Sequence, residues 1–245
     1  MSPVFDCHVH LDQLPDPGGA IQEAQRSDLK GMVAVGMDLN SNRSILDWAR
    51  RYPGFVWPAM GYHPWSLTVS GIRETMDHIR DCLDQAVALG EVGLDYKVSV
   101  PKEMQLWVFK DILELAWTSK KPLIVHCRQS HAEALELVRK QDLEKVVFHW
   151  YSGPMDTLKK LLLAGYYISA TPALAYSPKH REAVAAAPLK QILIETDSPV
   201  VYQGQPSSPA QVHKTLAELA AIKGMDLEEA ALKTTRNACE FFGLG

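Results

Sequence analysis

The first hydrophobic run of the chain ends in the stretch Asp6-Cys7-His8-Val9-His10. Side chains of a β-strand alternate between two faces, so Asp6, His8 and His10 are predicted to share one face. Cys7 and Val9 would then lie on the opposite face, toward the helices. Two imidazoles on one face can bind one metal ion. Two surface histidines explain an isolated pair equally well, so the meaning of this stretch depends on what the rest of the chain places beside it.

Eight short apolar runs alternate with longer helical stretches along the 245 residues. Strands are predicted at 3–9, 31–36, 55–60, 86–92, 122–126, 145–149, 166–169 and 191–195, and helices at 20–28, 40–52, 72–85, 102–119, 130–140, 154–164, 178–187, 209–223 and 227–241. This alternation predicts an α/β fold in which one closed parallel (β/α)8 barrel of the TIM type spans residues 1–245 as a single domain. A doubly wound open sheet is the competing architecture. The glycine-rich phosphate loop expected after its first strand is absent, because His8 and His10 occupy that place.

The amino-acid composition limits which partners and which compartment we expect for this protein. The chain is 47% hydrophobic and 22% charged, with a formal net charge of −4. It has no Lys/Arg-rich run, which argues against binding of duplex DNA through a broad basic surface but not against local phosphate binding. The four cysteines form no CxxC pair, and we expect no signal peptide, membrane span or obligate protein partner. A reducing cytoplasm is the expected compartment.

Polar side chains stand where the predicted strands end. All strands of a parallel barrel end on one face, where the active sites of such barrels lie. The strand-end residues are His8, His10, His63, Glu91, His126, Arg128, His149 and Asp197. Five of the nine histidines are among them, whereas His78, His131, His180 and His213 fall on predicted helices and are interpreted as ordinary helix or cap residues. The strand ends therefore predict a metal centre.

The number of candidate ligands predicts two ions. One tetrahedral zinc needs three or four protein ligands. Six candidates are present: His8, His10, Glu91, His126, His149 and Asp197. They suggest two ions about 3.5–4 Å apart with Glu91 as the bridge, and a metal-bound hydroxide as the nucleophile. Asp197, with Glu91 one of the two predicted catalytic residues, would orient the attacking water and accept its proton. The mixed ligand set suits Zn, Mn, Fe or, less well, Mg.

Several motifs carry a family resemblance. The matching stretches are Asp6 to Asp12, Gly61 to Pro64, Gly90 to Tyr96, Pro122 to Arg128, His149 to Gly153, Ile194 to Pro199 and Asn237 to Phe241. In this order the chain resembles the TatD-type metal-dependent deoxyribonucleases, a branch of the amidohydrolase-like barrels. The resemblance implies a distorted TIM-type barrel that hydrolyses phosphodiester bonds with divalent metals, and its ligand positions match the six candidates one by one. The segment 200–209 and Lys97 depart from the family pattern. Both are expected at the rim of the barrel, where the strands end and the substrate would bind.

Some residues near the predicted centre have two interpretations. Arg128 is a candidate phosphate-binding residue, or forms a salt bridge with Asp95 or Glu195. His63 either binds substrate or fixes the turn that contains it. Glu195 is expected to hold an imidazole or Arg128 from outside the ligand shell. The aromatic residues of the same rim could stack nucleobases or pack the loops: Tyr62, Trp65, Tyr96, Trp150 and Tyr151.

Three functions fit the sequence. The first is a two-metal nuclease or phosphodiesterase whose partner is DNA or a small phosphodiester. The second is an amide, ester or lactone hydrolase on the same barrel, and the third is a metal-dependent binding protein without catalysis. Many acyl hydrolases of this type bridge their metals with a carbamylated lysine on the fourth strand, where this chain has Glu91 and no lysine. The first function is therefore preferred.

Overall fold

Eight parallel strands form one sheet in the order of the sequence. The computed structural model describes residue 2 and residues 4–244; Pro3, with which the first strand was predicted to begin, lies outside the described residues. The strands are Val4–Val9 (β1), Leu29–Val35 (β2), Val56–Met60 (β3), Ala88–Asp95 (β4), Leu123–Arg128 (β5), Val146–Phe148 (β6), Tyr167–Ala170 (β7) and Ile192–Ile194 (β8). Each strand pairs in parallel with the next. The predicted strands are confirmed, with bounds that shift by up to three residues.

Helices follow the strands and cover the outside of the sheet. They are Pro17–Arg26 (α1), Leu39–Arg51 (α2), Ile72–Cys82 (α3), Lys102–Ser119 (α4), His131–Lys140 (α5), Met155–Leu163 (α6), Pro178–Ala186 (α7), Val212–Lys223 (α8) and Leu227–Phe242 (α9). Local signals set their ends: Asp38 caps α2 by accepting a 2.8 Å hydrogen bond from the Ser41 amide. Gly224 ends α8 in the left-handed region that glycine adopts readily.

Strand β8 lies beside β1, so the sheet closes on itself. The amide of His10 donates to the Ser198 carbonyl at 2.8 Å, and the amide of Asp197 donates to the His8 carbonyl at 3.0 Å. The predicted (β/α)8 barrel of the TIM type is confirmed. These closing bonds lie beyond the end of β8, so they also place Asp197 next to the two histidines of β1.

Strand β1 contains a bulge that the alternation rule did not predict. Asp6 pairs with Met32 and Val9 with Ala34, so three residues of β1 lie against two of β2. Cys7 packs in the cluster that fills the barrel, whereas Val9 packs in the cluster beneath the helices. The prediction that Cys7 faces the helices is therefore wrong. Asp6 accepts hydrogen bonds from Thr196, at 3.0 Å from its amide and 2.6 Å from its hydroxyl.

Helix α9 closes the end of the barrel where the strands begin. Phe241 and Phe242 join the cluster of strand side chains inside the barrel. The ring of Phe241 lies 5.0 Å from that of Tyr167, at the start of β7. Asn237 Nδ2 donates to the carbonyls of Leu189 and Ile192, at 2.7 and 2.9 Å. The opposite end, where the strands finish, is thus left for the polar residues.

No helix within residues 4–244 is both long and apolar enough to cross a membrane.

Candidate metal centre

The polar residues predicted at the strand ends lie at one end of the barrel. They are His8 of β1, His10 directly after β1, His63 after β3, Glu91 of β4, His126 and Arg128 of β5, His149 after β6, and Asp197 after β8. All except His126 and Arg128 are buried; His126 is partly buried, and the side chain of Arg128 is exposed. The barrel topology explains this convergence, because parallel strands all end on the same face.

One oxygen of Glu91 faces the histidines of β1. Glu91 Oε2 lies 3.3 Å from His8 Nε2 and 3.4 Å from His10 Nε2. The two imidazole nitrogens are 3.4 Å apart. Asp197 Oδ1 lies 3.2 Å from His10 Nε2 and 3.6 Å from His8 Nε2. We call His8, His10, Asp197 and Glu91 Oε2 the first ligand group.

The other oxygen of Glu91 faces the histidines of β5 and of the β6 end. Glu91 Oε1 lies 2.8 Å from His126 Nδ1 and 2.7 Å from His149 Nε2. These two nitrogens are 3.3 Å apart. We call His126, His149 and Glu91 Oε1 the second ligand group. The carboxylate of Glu91 therefore lies between two groups and contributes one oxygen to each.

The outer nitrogens of the second group face carboxylates. His126 Nε2 lies 3.3 Å from Asp95 Oδ2, and His149 Nδ1 lies 3.3 Å from Glu195 Oε1. A neutral imidazole that donates to the outer carboxylate keeps its inner nitrogen as a free lone pair, which is the form that binds metals. Glu195 holds an imidazole as predicted. The partnership of Asp95 with His126 was not predicted, because a carboxylate on the neighbouring strand gives no sign in the sequence of which side chain it will meet.

His63 faces Glu91 through a nitrogen that carries its proton. Its Nδ1 accepts a 3.1 Å hydrogen bond from the Trp65 amide, so the neutral ring has its proton on Nε2. Nε2 lies 3.3 Å from Glu91 Oε1. Burial lowers the pKa of His63 to about 4, so the ring is neutral at pH 7. His63 is thus a hydrogen-bond donor to Glu91, and its contact with substrate stays a prediction.

Close backbone packing fixes the position of Glu91. A Cβ atom at Gly61 would collide with the backbone of Glu91. Gly93 has a φ of +146°, and a Cβ atom there would collide with the carbonyl of His126. Asp197 also has an uncommon backbone, with a φ of +51°, in the turn after β8. The two carboxylates of the first group are therefore held by the chain around them.

Both of these carboxylates are ionised at neutral pH. Burial raises the pKa of Glu91, but attraction to the surrounding histidines, led by His149, outweighs burial and holds that pKa well below its usual range. Burial likewise raises the pKa of Asp197, but its close contact with the His10 imidazole outweighs burial and lowers that pKa overall. Two buried negative charges among imidazole nitrogens attract a cation.

The donor set fits divalent metal ions. Asp197 Oδ1 is buried and accepts no hydrogen bond, although two imidazole nitrogens lie within 3.6 Å of it. Leaving a buried carboxylate oxygen unpaired is costly, and a cation among these atoms would satisfy it. Ligand atoms of His8, His10 and Glu91 all lie within 4.8 Å of one another. Mixed imidazole and carboxylate ligands are typical of Zn, Mn and Fe sites.

Arg128, two residues after His126 on β5, borders a cavity that is not lined by any residue of the two ligand groups. Its side chain is exposed and forms no ion pair with any residue in the described ranges. The alternative prediction of a salt bridge to Asp95 or Glu195 is wrong, because these carboxylates instead face the two histidines. The cavity, of about 560 Å³, is also lined by Ser152, Lys179 and Glu182. Lys179, on α7, carries no feature in the sequence that would mark it as a functional residue.

The four helical histidines lie apart from the two ligand groups. His78 is in α3, His131 begins α5, His180 is in α7 and His213 is in α8. His180 illustrates their structural roles: its Nδ1 lies 2.7 Å from the Tyr151 carbonyl and its Nε2 accepts from the Thr171 amide. The segment 200–209, which departs from the family pattern, forms a short hairpin, Val201–Tyr202 and Gln205–Pro206.

Comparison with known proteins gives a consistent result along the chain. The sequence model described as "TatD related DNase" matches residues 5–243. The chain is 29% identical to the human deoxyribonuclease TATDN3 over 258 aligned residues, covering 98% of this chain and 94% of the human protein. It is 27% identical to the metal-dependent hydrolase YabD of Bacillus subtilis, covering 98% of each.

Comparison with solved structures points to the same family as the sequence comparison. The crystal structure of YjjV, a TatD homologue from Escherichia coli K12, superimposes with a TM-score of 0.89 and 26% sequence identity. The superposition covers 99% of this chain and 98% of that protein. The fold, the strand-end residues and the family match agree, and the chain belongs to the family of TatD-related DNases.

Proposed function

We propose that this chain is a divalent-metal-dependent phosphodiesterase that hydrolyses DNA at a centre of two ions. The position of the Glu91 carboxylate is the strongest support for this proposal. Its Oε2 faces His8 and His10, and its Oε1 faces His126 and His149. A carboxylate shared in this way is typical of two-metal sites, whose ions lie about 3.5–4 Å apart. The family description and the name of the human relative support DNA as the substrate.

Each ligand group would hold one ion. His8, His10 and Asp197 would bind the first, His126 and His149 the second, and Glu91 both. When bound, such ions lower the pKa of water and neutralise charge on phosphate oxygens. Zn, Mn and Fe match the ligand set best, and Mg, which prefers oxygen ligands, matches it less well.

Asp197 is the proposed proton acceptor. Its carboxylate is ionised at neutral pH, since His10 and His8 lower its pKa against the effect of burial. Its Oδ1 accepts no hydrogen bond in the described structure and is free to orient an attacking water. The left-handed backbone at Asp197 fixes the direction of this side chain.

Arg128 and His63 are the proposed substrate contacts. Arg128 is exposed at the end of β5, two residues after His126, and its guanidinium can hold two phosphate oxygens at once. Lys179, across the same cavity, adds a second positive charge. Neutral His63 keeps its N–H at Nε2, and through it can donate a hydrogen bond to Glu91 or to a phosphate oxygen that approaches Glu91.

The test is an activity screen of the metal-loaded protein. Single-stranded DNA, a generic phosphodiester and a panel of amides, esters and lactones are assayed side by side. We expect hydrolysis of the first two substrates, lost with EDTA and restored by added metal. Hydrolysis of the acyl panel with both diesters left intact would overturn the proposal in favour of acyl chemistry. A metal-loaded protein that is inert across the whole screen would favour a binding role.

A further inference from the structure

Trp65 stands out among the aromatic residues of the rim. Tyr62 and Tyr151 are buried in the loops, as the packing interpretation predicts. Tyr96 donates to Glu133 and lies under the ammonium of Lys102. Trp65, by contrast, is 53% exposed.

The exposed indole is firmly held. Trp65 Nε1 donates a 2.7 Å hydrogen bond to Asp95 Oδ2, and its backbone amide donates to His63 Nδ1. A Trp ring held at its nitrogen edge has lost most of its rotational freedom while keeping more than half of its surface in solvent. A rigid, accessible aromatic ring costs little entropy when it binds a flat partner.

The ring lies directly beside the second ligand group. Its centroid is 4.6 Å from that of His63 and 5.9 Å from that of His126, and both pairs of rings are nearly perpendicular. Asp95, which holds Nε1 of Trp65, also lies 3.3 Å from His126 Nε2. A nucleotide whose phosphate reaches Glu91 and His126 would carry its base into the region of this indole.

We propose that Trp65 is a nucleobase-stacking platform beside the second ligand group. The proposal rests on the phosphodiesterase function argued above. Stacking on an aromatic side chain uses the flat face of a base, which every base offers, so it contributes affinity without sequence preference. Inside a duplex both faces of a base are covered by neighbouring base pairs, so the base that stacks on Trp65 must be unpaired or terminal.

The experiment compares two substrates and three variants. The substrates are a trithymidylate strand and an abasic strand with the same phosphates. Trp65→Ala removes the ring. Trp65→Phe keeps an aromatic ring but loses the hydrogen bond to Asp95. The control is Trp107→Ala, since Trp107 is 61% exposed but lies on α4.

We expect Trp65→Ala to raise KM for trithymidylate about 5- to 150-fold, the range for loss of one stacked base. Its effect on the abasic strand should be within about threefold, and Trp65→Phe should keep most of the affinity for trithymidylate. Trp107→Ala should match wild type on both strands. Equal losses on the two strands, or a Trp65→Phe variant that behaves like Trp65→Ala, would overturn the platform and leave Trp65 only a positioning role through Asp95.

A binding measurement separates this inference from the proposed activity. A phosphorothioate strand containing 2-aminopurine is titrated with metal-loaded protein, and stacking on Trp65 should quench its fluorescence in wild type and not in Trp65→Ala. Equal quenching in both proteins overturns the platform. Quenching that depends on Trp65, in a protein that hydrolyses neither diester, would keep the platform and reject the phosphodiesterase function.

Discussion

The side chains around Glu91 are arranged in two layers. The inner layer consists of nitrogens that face the Glu91 carboxylate, and the outer layer of carboxylates that receive the other nitrogens of His126 and His149. The outer carboxylates, Asp95 and Glu195, determine which nitrogen carries the proton and so leave the inner lone pairs free. Metal affinity at this centre should therefore depend on residues that never touch a metal.

Glu195→Gln tests this dependence. The amide keeps the size of the side chain but removes the charge that holds the proton on His149 Nδ1. We expect metal affinity to fall about 10- to 100-fold, measured by competition with a chelating dye. Glu218→Gln, which breaks a surface ion pair with Arg181, should bind metal as wild type does. Equal metal affinities in Glu195→Gln and wild type would show that Glu195 plays no part.

His63 makes stability depend on pH. Its pKa is about 4 in the folded state, because burial lowers it from the ordinary value of 6.5. Between pH 6.5 and 4, His63 binds a proton in the unfolded chain but not in the folded protein. The free energy of unfolding of the wild type therefore falls by up to about 3 kcal/mol over this range because of His63. The free energy of unfolding of His63→Gln should not show this decrease.

Urea unfolding of the two metal-free proteins at pH 7 and pH 4.5 measures the difference. We expect a smaller decrease in the free energy of unfolding between these pH values for His63→Gln than for wild type. Parallel decreases in the free energy of unfolding would refute the depressed pKa.

Positions of the candidate residues could be predicted from sequence, but their pairings could not. Parallel strands end on one face, so His8, Glu91, His126 and His149 were bound to converge once the strands were recognised. Which nitrogen of each ring points inward depends on neighbours from other strands. Asp95 illustrates this limit, since its contact with His126 arises from the register of β4 against β5.

At the scale of the elements, β1 and α9 determine how the two ends of the barrel differ. The bulge in β1 lets Cys7 fill the barrel while His8 and His10 both reach Glu91. Simple alternation predicted the histidines correctly but not Cys7, because a bulge depends on the partner strand. Helix α9 closes the other end with aromatic side chains.

Phe241→Ala tests the role of α9. Phe241 is fully buried against Tyr167 and Phe242, so its truncation should lower the free energy of unfolding by about 3–5 kcal/mol. Leu232→Ala, at an exposed position of the same helix, should change it by no more than about 0.5 kcal/mol. Denaturant titrations measure both, and a Phe241→Ala protein as stable as Leu232→Ala would show that α9 does not stabilise the barrel.

At the scale of the whole molecule, stability and chemistry occupy opposite ends of one barrel. The apolar closure by α9 lies where the strands begin, and the ionised carboxylates and histidines lie where they end. Because the two ends are separate, residues at the strand ends can differ from the family pattern without disturbing the hydrophobic core. The hairpin of residues 201–206 lies in such a segment. The proposed function therefore depends on the residues at the ends of the strands, and above all on the two ions that Glu91 would share.

The most direct test is cleavage of a single-stranded oligonucleotide while Mn²⁺ is titrated into metal-free protein. We predict that wild-type activity rises until two equivalents are bound per chain. We also predict that Asp197→Asn at the same metal content is slower by about 100-fold or more, because the proton acceptor is lost. Full activity at one equivalent, activity without metal, or undiminished activity of Asp197→Asn would contradict the proposed function.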